Sequence, residues 1–166
     1  MIKLLCALTF LLAGCEALNR PQPLGTDGRP LRASEIDAVL DDWHHAASVA
    51  DEERYMGHFT TQARFLGTDA DERWSRVEFH GYVHSYFSQG IGWTYVAADR
   101  QVNFSPDGRV AWFDELLEND GYGELRGTGV MLRVRGQWRI SQYSMAFTVP
   151  NDIAKEVTAL VKSHGR

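Results

Sequence analysis

Four extended segments joined by short turns occupy residues 93–149, and this run constrains the fold of the chain more than any other feature. The segments at 93–104, 110–118, 125–135 and 137–149 are rich in aromatic and β-branched side chains, which favour strands. Between the first two segments, residues 105–108 read Ser-Pro-Asp-Gly, where proline presets φ and glycine accepts a strained position. Because short turns join antiparallel neighbours, the run predicts an antiparallel meander.

Helical patterns precede and follow these strands. Ser34 is placed as the N-cap of a first helix whose apolar residues recur at helical spacing, namely Ile36, Val39, Leu40, Trp43, Ala47 and Ala50. Ser75 and Glu78 form a capping-box pattern that begins a later helix. Residues 151–166 read as a last amphipathic helix. Helices first and a meandering sheet afterwards indicate an α+β fold.

The charge and the positions of the cysteines exclude several classes of function. A chain of 166 residues has room for one domain with a full core. Its formal net charge is −5 and it has no run of Lys and Arg, so nucleic acid is not expected as a partner. Both cysteines, Cys6 and Cys15, lie within the first 15 residues. The folded part therefore has no thiol for a disulfide, a redox step or a cysteine-based metal site.

The first residues have the pattern of a targeting segment. Lys3 precedes the apolar run 4–13, which is too short to span a bilayer but suits the core of a signal peptide. The run ends in Leu12-Ala13-Gly14-Cys15, which resembles the lipobox of bacterial lipoproteins. That resemblance implies cleavage before Cys15 and a lipid anchor on it. The alternative is an ordinary secretory leader with a chance cysteine.

Four regions follow from these observations. We predict a lipoprotein signal peptide at 1–14, the lipidated cysteine and a flexible Pro- and Gly-containing tether at 15–33, the folded domain at 34–150 and the helix at 151–166. The protein is then expected in a bacterial cell envelope. Because Glu16, and not aspartate, follows Cys15, the outer membrane facing the periplasm is expected over the inner membrane.

Three pairs of histidine or aspartate residues are candidate metal ligands by residue type. His44 and His45 are adjacent on a helix and point about 100° apart, so they are interpreted as surface or rim residues. His80 and His84 have the i, i+4 spacing of two ligands, but the sequence nominates no third ligand. Asp69 and Asp71 alternate as in a calcium loop without its glycine and distant glutamate. No metal and no cofactor are expected.

Six short sequence motifs occur along the predicted helices, strands and loops. They are Phe65-Leu66-Gly67-Thr68-Asp69-Ala70, Glu72-Arg73-Trp74, Gly92-Trp93-Thr94-Tyr95, Ala111-Trp112-Phe113-Asp114-Glu115, Arg126-Gly127-Thr128-Gly129-Val130 and Trp138-Arg139-Ile140. Together they resemble a SnoaL-like branch of the nuclear transport factor 2-like superfamily. The resemblance implies a cone-shaped α+β barrel, with N-terminal helices packed in the concave face of a curved antiparallel sheet and a pocket between them, often as a dimer. The predicted helix at 151–166 is additional to the region of resemblance.

Strand parity gives a first assignment of the pocket. If residues 119–122 form the turn, Asp114 lies near Gly127, and Trp112 and Asp114 share the inner face with the glycines and with Gln142. The outer face then carries Glu115, expected to pair with Arg126. The predicted pocket residues are Trp43, Tyr55, Trp74, Tyr86, Trp112, Asp114 and Gln142.

The same residues admit different functions. Our first hypothesis is a lipid-anchored protein whose pocket binds a small apolar or aromatic molecule without catalysis. The alternative is an isomerase or dehydratase of the ketosteroid-isomerase type in which Asp114 moves a proton. The structural alternative is that Asp114 forms hydrogen bonds inside the fold without moving a proton. In the same way, the aromatic residues would be part of the hydrophobic core and would not contact a ligand. A third hypothesis is a structural module that forms a homodimer through the outer face of the sheet.

Overall fold

A computed structural model of the chain describes residues 23–25, 28 and 30–165. The predicted signal peptide, Cys15 and the start of the predicted tether lie outside these residues. The described elements, in chain order, are α1 Ala33–Ser48, α2 Glu52–Gly57, β1 Phe59–Leu66, β2 Arg73–Ser75, α3 Arg76–Phe87, β3 Val96–Phe104, β4 Val110–Asn119, β5 Gly123–Val134, β6 Gln137–Phe147 and α4 Ala154–Ser163.

The six strands form one curved, unclosed sheet with the order β2-β1-β6-β5-β4-β3. The meander β3 to β6 is antiparallel, as the short turns predict. The pairing of β1 with β6 is parallel, which the sequence did not indicate. Bulges interrupt β3 between Ala97 and Asp99 and the β5–β6 pair between Val130 and Met131. Bulges of this kind bend strands and help a sheet to curve.

Helices α1, α2 and α3 pack on the concave face of this sheet. The apolar stripe of α1 is buried, including Ile36, Leu40 and Trp43. Helix α3 begins with the predicted capping box, in which the Ser75 hydroxyl accepts from the Glu78 backbone N–H and the Glu78 carboxylate accepts from the Ser75 backbone N–H. The predicted cap of α1 is wrong, because Arg32 holds the N-cap position and makes no side-chain bond there. The α+β cone is confirmed.

The predicted tether packs on the domain at Leu31, near its end. Leu31 is 2% exposed and belongs to the core, and its backbone N–H donates to the Pro23 carbonyl at 2.9 Å. A bridge joins Leu24 to Pro30, next to Gly108 in the β3–β4 turn. The packed domain therefore begins before Ser34.

The last helix behaves differently from the other three. Helix α4 buries no side chain, and Ile153, Leu160 and Val161 are between 41% and 62% exposed. The apolar stripe expected from the sequence is present but contacts no other element extensively. In the part of the chain that the structure describes, no helix is both long enough and apolar enough to cross a bilayer.

Candidate functional site

A cavity of about 320 Å³ lies between the helices and the concave face of the sheet. It is partly open to solvent, and aromatic side chains dominate its wall. The aromatic residues that line it are Trp43, Tyr55, Phe65, Trp74, Phe79, Tyr82, Tyr86, Trp93, Tyr95 and Tyr122. Such a concave, apolar wall with a few polar groups is the usual form of a small-molecule site.

The inner part of the cavity is a tightly packed set of rings. Trp43 stacks on Tyr55 with ring centroids 5.2 Å apart, and Phe65 stacks on Phe79 at 3.9 Å. Burial raises the pKa of Tyr55 well above its ordinary value, so its hydroxyl stays protonated at neutral pH. The aromatic inner wall is therefore uncharged, and His44 lines the cavity beside it.

Four of the predicted pocket residues line this cavity, namely Trp43, Tyr55, Trp74 and Tyr86. Trp43 of α1 and Tyr55 of α2 are buried on the inward faces of their helices, whereas Tyr86 of α3 lines the cavity and is 40% exposed. Trp74 comes from the edge strand β2. The structure shows that these four residues line one cavity, whereas their role in binding a ligand stays a prediction.

The other three predicted residues, Trp112, Asp114 and Gln142, lie on the opposite face of the sheet. Each is exposed, with Trp112 at 46%. The assignment was wrong because β4 and β5 pair one residue away from the expected register, with Asn119 opposite Gly123 and Asp114 opposite Thr128. A one-residue change of register moves every side chain of a strand to the other face.

The turn between β4 and β5 explains this register. The Asn119 side-chain oxygen accepts hydrogen bonds from the backbone N–H groups of Gly121 and Tyr122, each at 2.9 Å. This Asx-type turn leaves three residues in the loop, and Gly123 takes a φ of +71°. In β6, the bulge places Trp138, Ile140 and Tyr143 inside and Gln142 outside.

The buried carboxylate of the inner face is Glu115, not Asp114. Glu115 is 1% exposed and lies opposite Gly127, so the predicted pair with Arg126 is also wrong. Its Oε1 accepts from the Tyr143 hydroxyl at 2.8 Å and lies 3.0 Å from His44 Nε2. Its Oε2 accepts from Arg100 Nε at 2.8 Å. Arg100, on β3, also reaches Asp37 and Asp41 of α1.

These partners decide the charge of Glu115. Burial alone would raise its pKa, but the hydrogen bond from His44, the charge of Arg100 and the hydrogen bond from the Tyr143 hydroxyl together lower the pKa below its ordinary value. Glu115 is therefore ionised at neutral pH. The same burial, with the nearby Glu115 charge, raises the pKa of Tyr143 well above the ordinary value, which keeps its hydroxyl protonated as a donor.

An ionised Glu115 sets the tautomer of His44. A carboxylate only accepts hydrogen bonds, so a neutral His44 donates Nε2–H to Glu115 and keeps a lone pair on Nδ1. His44 is 8% exposed and forms part of the cavity wall. Among the described residues, no side-chain hydrogen bond involves Nδ1. In this tautomer Nδ1 is a proton acceptor on a side chain that lines the cavity.

Sequence reasoning missed His44, Arg100 and Glu115. The interpretation of His44 as a surface or rim residue was wrong. A signal was present, because His44 follows Leu40 by four positions and so continues the buried stripe of α1. No comparable signal marks Arg100 or Glu115, whose pairing depends on the β3–β4 register of the folded sheet.

The second histidine pair lies outside the cavity. His80 and His84 are exposed, and both contact the carboxylate of Glu52 on α2, at 2.6 Å and 3.0 Å. These contacts lower the pKa of Glu52, the hydrogen bond from His84 contributing most. Within the described ranges, no group of three or more His, Cys, Asp or Glu side chains is arranged to hold a metal ion.

The sequence model of the SnoaL-like domain matches residues 36–150. This match covers most of the chain and all of the cavity. The chain belongs to the SnoaL-like domain family. No curated protein matches it.

Several solved structures share the fold of this SnoaL-like domain at low sequence identity. One is an NTF2-like protein of unknown function from Pseudomonas putida, with 15% identity, a TM-score of 0.60 and coverage of 74% of this chain and 89% of that one. Another is a proposed dehydratase of the NTF2-like family from Streptomyces avermitilis, with 12% identity, a TM-score of 0.61 and coverage of 70% and 96%.

A third similar structure is a proposed scytalone dehydratase from Novosphingobium aromaticivorans. It has 10% identity, a TM-score of 0.57 and coverage of 70% of this chain and 83% of that one. At these identities the likeness establishes the cone fold. Reaction and ligand have to be argued from the residues of this chain.

Proposed function

We propose that the SnoaL-like cone binds a small aromatic or otherwise apolar molecule. The observation that carries this proposal is the open cavity of about 320 Å³ with ten aromatic side chains in its wall. Its volume is within the range of about 300–1,000 Å³ common for ligand pockets. Aromatic walls bind flat apolar molecules through burial and ring stacking.

Two tryptophans provide a matched test of binding. Trp93 lines the cavity, whereas Trp112 is exposed on the outer face of the sheet. A library of small aromatic compounds is screened by thermal shift on the full-length chain, and the affinity of each hit is measured with Trp93→Ala and Trp112→Ala. We expect Trp93→Ala to weaken binding by roughly tenfold, or about 1.4 kcal/mol, and Trp112→Ala to leave it unchanged. A library without a single stabilising compound would contradict the proposal.

A second candidate function is proton transfer on the bound molecule, as in an isomerase or dehydratase. The specific observation in its favour is the His44–Glu115 pair, which replaces Asp114 in this role. His44 Nδ1 would accept a proton from a carbon beside a carbonyl, and the C–H electron pair would form the enolate. Returning the proton to another carbon gives an isomer, and loss of a β-hydroxyl with a proton gives water and an alkene.

His45 supplies the control for this second candidate, because it is adjacent to His44 and exposed. On enolisable ketones and β-hydroxy carbonyl compounds, His44→Gln is expected to lower kcat by roughly 100-fold or more while keeping ligand affinity. His45→Gln is expected to match the wild type. Equal turnover by His44→Gln would contradict His44 as the base, whereas a wild-type chain inert on both compound classes argues for binding without catalysis.

We further propose that the protein is lipid-anchored through Cys15 in the cell envelope, at the outer membrane facing the periplasm. The support is the lipobox-like Leu12-Ala13-Gly14-Cys15 after a charged start and an apolar run. In a bacterial host, an alkyne fatty acid should label the chain and its Cys6→Ser variant but not Cys15→Ser. Labelling that persists in Cys15→Ser would contradict the anchor.

A further inference from the structure

The mouth of the cavity has a different chemistry from its inner part. Tyr82 lies between Trp74 and Tyr86, with ring centroids at 5.0 Å and 5.2 Å. Trp93 lies 6.1 Å from both tyrosines and is nearly perpendicular to Tyr86, at 77°. These four rings, which we call the mouth cluster, therefore form a corner and not a flat stack.

The rings of the mouth cluster are accessible and uncharged. Tyr82 and Tyr86 are 41% and 40% exposed, whereas Trp43 in the inner wall is 1% exposed. Burial of the hydroxyl end raises the pKa of Tyr82 to about 12, so the phenol is neutral at physiological pH. Neutral phenol and indole rings present an electron-rich face that attracts cations.

One carboxylate, that of Glu72, faces the same space. Glu72 lines the cavity, and its charge contributes to the raised pKa of both Tyr82 and Tyr95. The loop holds it in place, since its Oε2 accepts from the Asp69 backbone N–H at 3.1 Å and its carbonyl accepts from Gly67 N–H at 2.8 Å. A Cβ at Gly67 would overlap the Glu72 side chain, so glycine leaves room for it.

No cation of the described chain neutralises this carboxylate inside the cavity. The lining contains neither Lys nor Arg, and no ion pair of Glu72 is formed among the residues that the structure describes. This contrasts with Glu115, which is paired with Arg100. The mouth therefore combines exposed π faces with an uncompensated negative charge, the two features that attract an organic cation.

We propose that the mouth cluster and Glu72 bind a methylated ammonium group of the ligand, whose apolar body enters the inner cavity. This inference rests on the proposed function, because the cavity must first accept a small molecule. A quaternary ammonium group has no N–H, so it needs no ring of hydrogen-bond acceptors. It is stabilised by aromatic faces and a nearby carboxylate, which is what this end of the cavity offers.

A pair of isosteric probes isolates the charge. The cation 3-(trimethylammonio)phenol and the neutral 3-tert-butylphenol differ by nitrogen in place of carbon. Both are titrated against the full-length chain in nonionic detergent, with tryptophan fluorescence as the readout. We expect the cation to bind about tenfold more tightly than its neutral isostere.

Two substitutions assign the preference to Glu72. Glu72→Gln keeps an oxygen that can accept from the Asp69 N–H, so the loop should stay intact, and it should abolish most of the preference for the cation. Glu53→Gln removes an exposed carboxylate on α2 and should leave the preference unchanged. Tyr82→Leu removes one ring and should weaken the cation more than the neutral probe.

Each outcome decides a different claim. Equal or tighter binding of the neutral probe overturns the cation site but leaves the small-molecule pocket standing. A preference that persists in Glu72→Gln overturns the assigned carboxylate. If neither probe binds, the cation site is overturned, and the thermal-shift screen then decides separately whether the pocket binds any molecule.

Discussion

Glu115 connects the inner face of the sheet to helix α1 and to the neighbouring strands. Its carboxylate joins β4 to α1 through His44, to β3 through Arg100 and to β6 through Tyr143. Removing one partner of a buried ion pair leaves the other charge desolvated, which costs about 3–5 kcal/mol. We expect Glu115→Ala to lower the free energy of unfolding by that amount in urea titrations.

The adjacent Asp114 is the control for this prediction. It is exposed on the outer face, so Asp114→Ala should change the free energy of unfolding by about 0.5 kcal/mol or less. A larger effect for Asp114 than for Glu115 would contradict the buried ion pair. The two substitutions together test whether Glu115, as in the structure, or Asp114, as strand parity predicted, is on the inner face of the sheet.

The stability of the protein should depend on Glu115 at acidic pH. Its pKa in the folded state is lower than the ordinary value of 4.5, so folding favours the ionised form. The stabilisation is present above that ordinary value and is lost as pH falls through the lower, folded-state pKa. Urea titrations from pH 6 to pH 3 should show this loss in the wild type and a shallower one in Glu115→Gln. Parallel curves for the two proteins would exclude Glu115 as the cause.

Glycine is required on the inner face of the β4–β5 hairpin, because no space is left there for a side chain. Gly127 lies opposite Glu115, and a Cβ there would overlap the Tyr143 hydroxyl and lie 3.1 Å from Glu115 Cγ. Both neighbours are buried and hydrogen-bonded to each other, so neither moves without cost. We expect Gly127→Ala to destabilise the fold by about 1–3 kcal/mol, measured by thermal and urea unfolding.

Gly81 in helix α3 is the control for the substitution of Gly127. Gly81 is exposed in the interior of α3, and an added Cβ would meet nothing within 4 Å. Since alanine is a better helix former, Gly81→Ala should stabilise the protein by about 0.5–1 kcal/mol. The opposite signs at the two glycines would show that space, and not backbone freedom, decides the effect at Gly127. A neutral Gly127→Ala would contradict the close packing of the hairpin.

At the scale of the whole molecule, the outer face of the sheet is the surface proposed for self-association. Trp112 is 46% exposed on this face. We predict a homodimer in sedimentation equilibrium and a monomer for Trp112→Glu, because a buried carboxylate at the interface would lack a partner. Val77→Glu, at a position of α3 that is 78% exposed, should leave the dimer intact. A wild-type monomer at high concentration would contradict the prediction.

Helix α1, the start of helix α3 and the antiparallel meander could be predicted because their signals are local. Helical spacing in α1, the Ser75–Glu78 capping box and the strand segments after residue 93 each depend on residues a few positions apart, and each matches the structure. The aromatic residues Trp43, Tyr55, Trp74 and Tyr86 could be placed in the cavity for the same reason. The parallel pairing of β1 with β6 had no local signal, because the two strands are far apart in the chain.

What the residues determined by themselves is an α+β fold with an aromatic interior, since the spacing of apolar and aromatic residues indicates both; the cone shape was implied by the resemblance to the SnoaL-like branch. Tertiary structure alone decided which carboxylate is buried. The Asn119 side chain and the positive φ of Gly123 set the register of β4 against β5, and this register turns Glu115 inward and Asp114 outward. His44 lies 71 positions from Glu115 in the chain, so only folding brings this pair to the wall of the cavity.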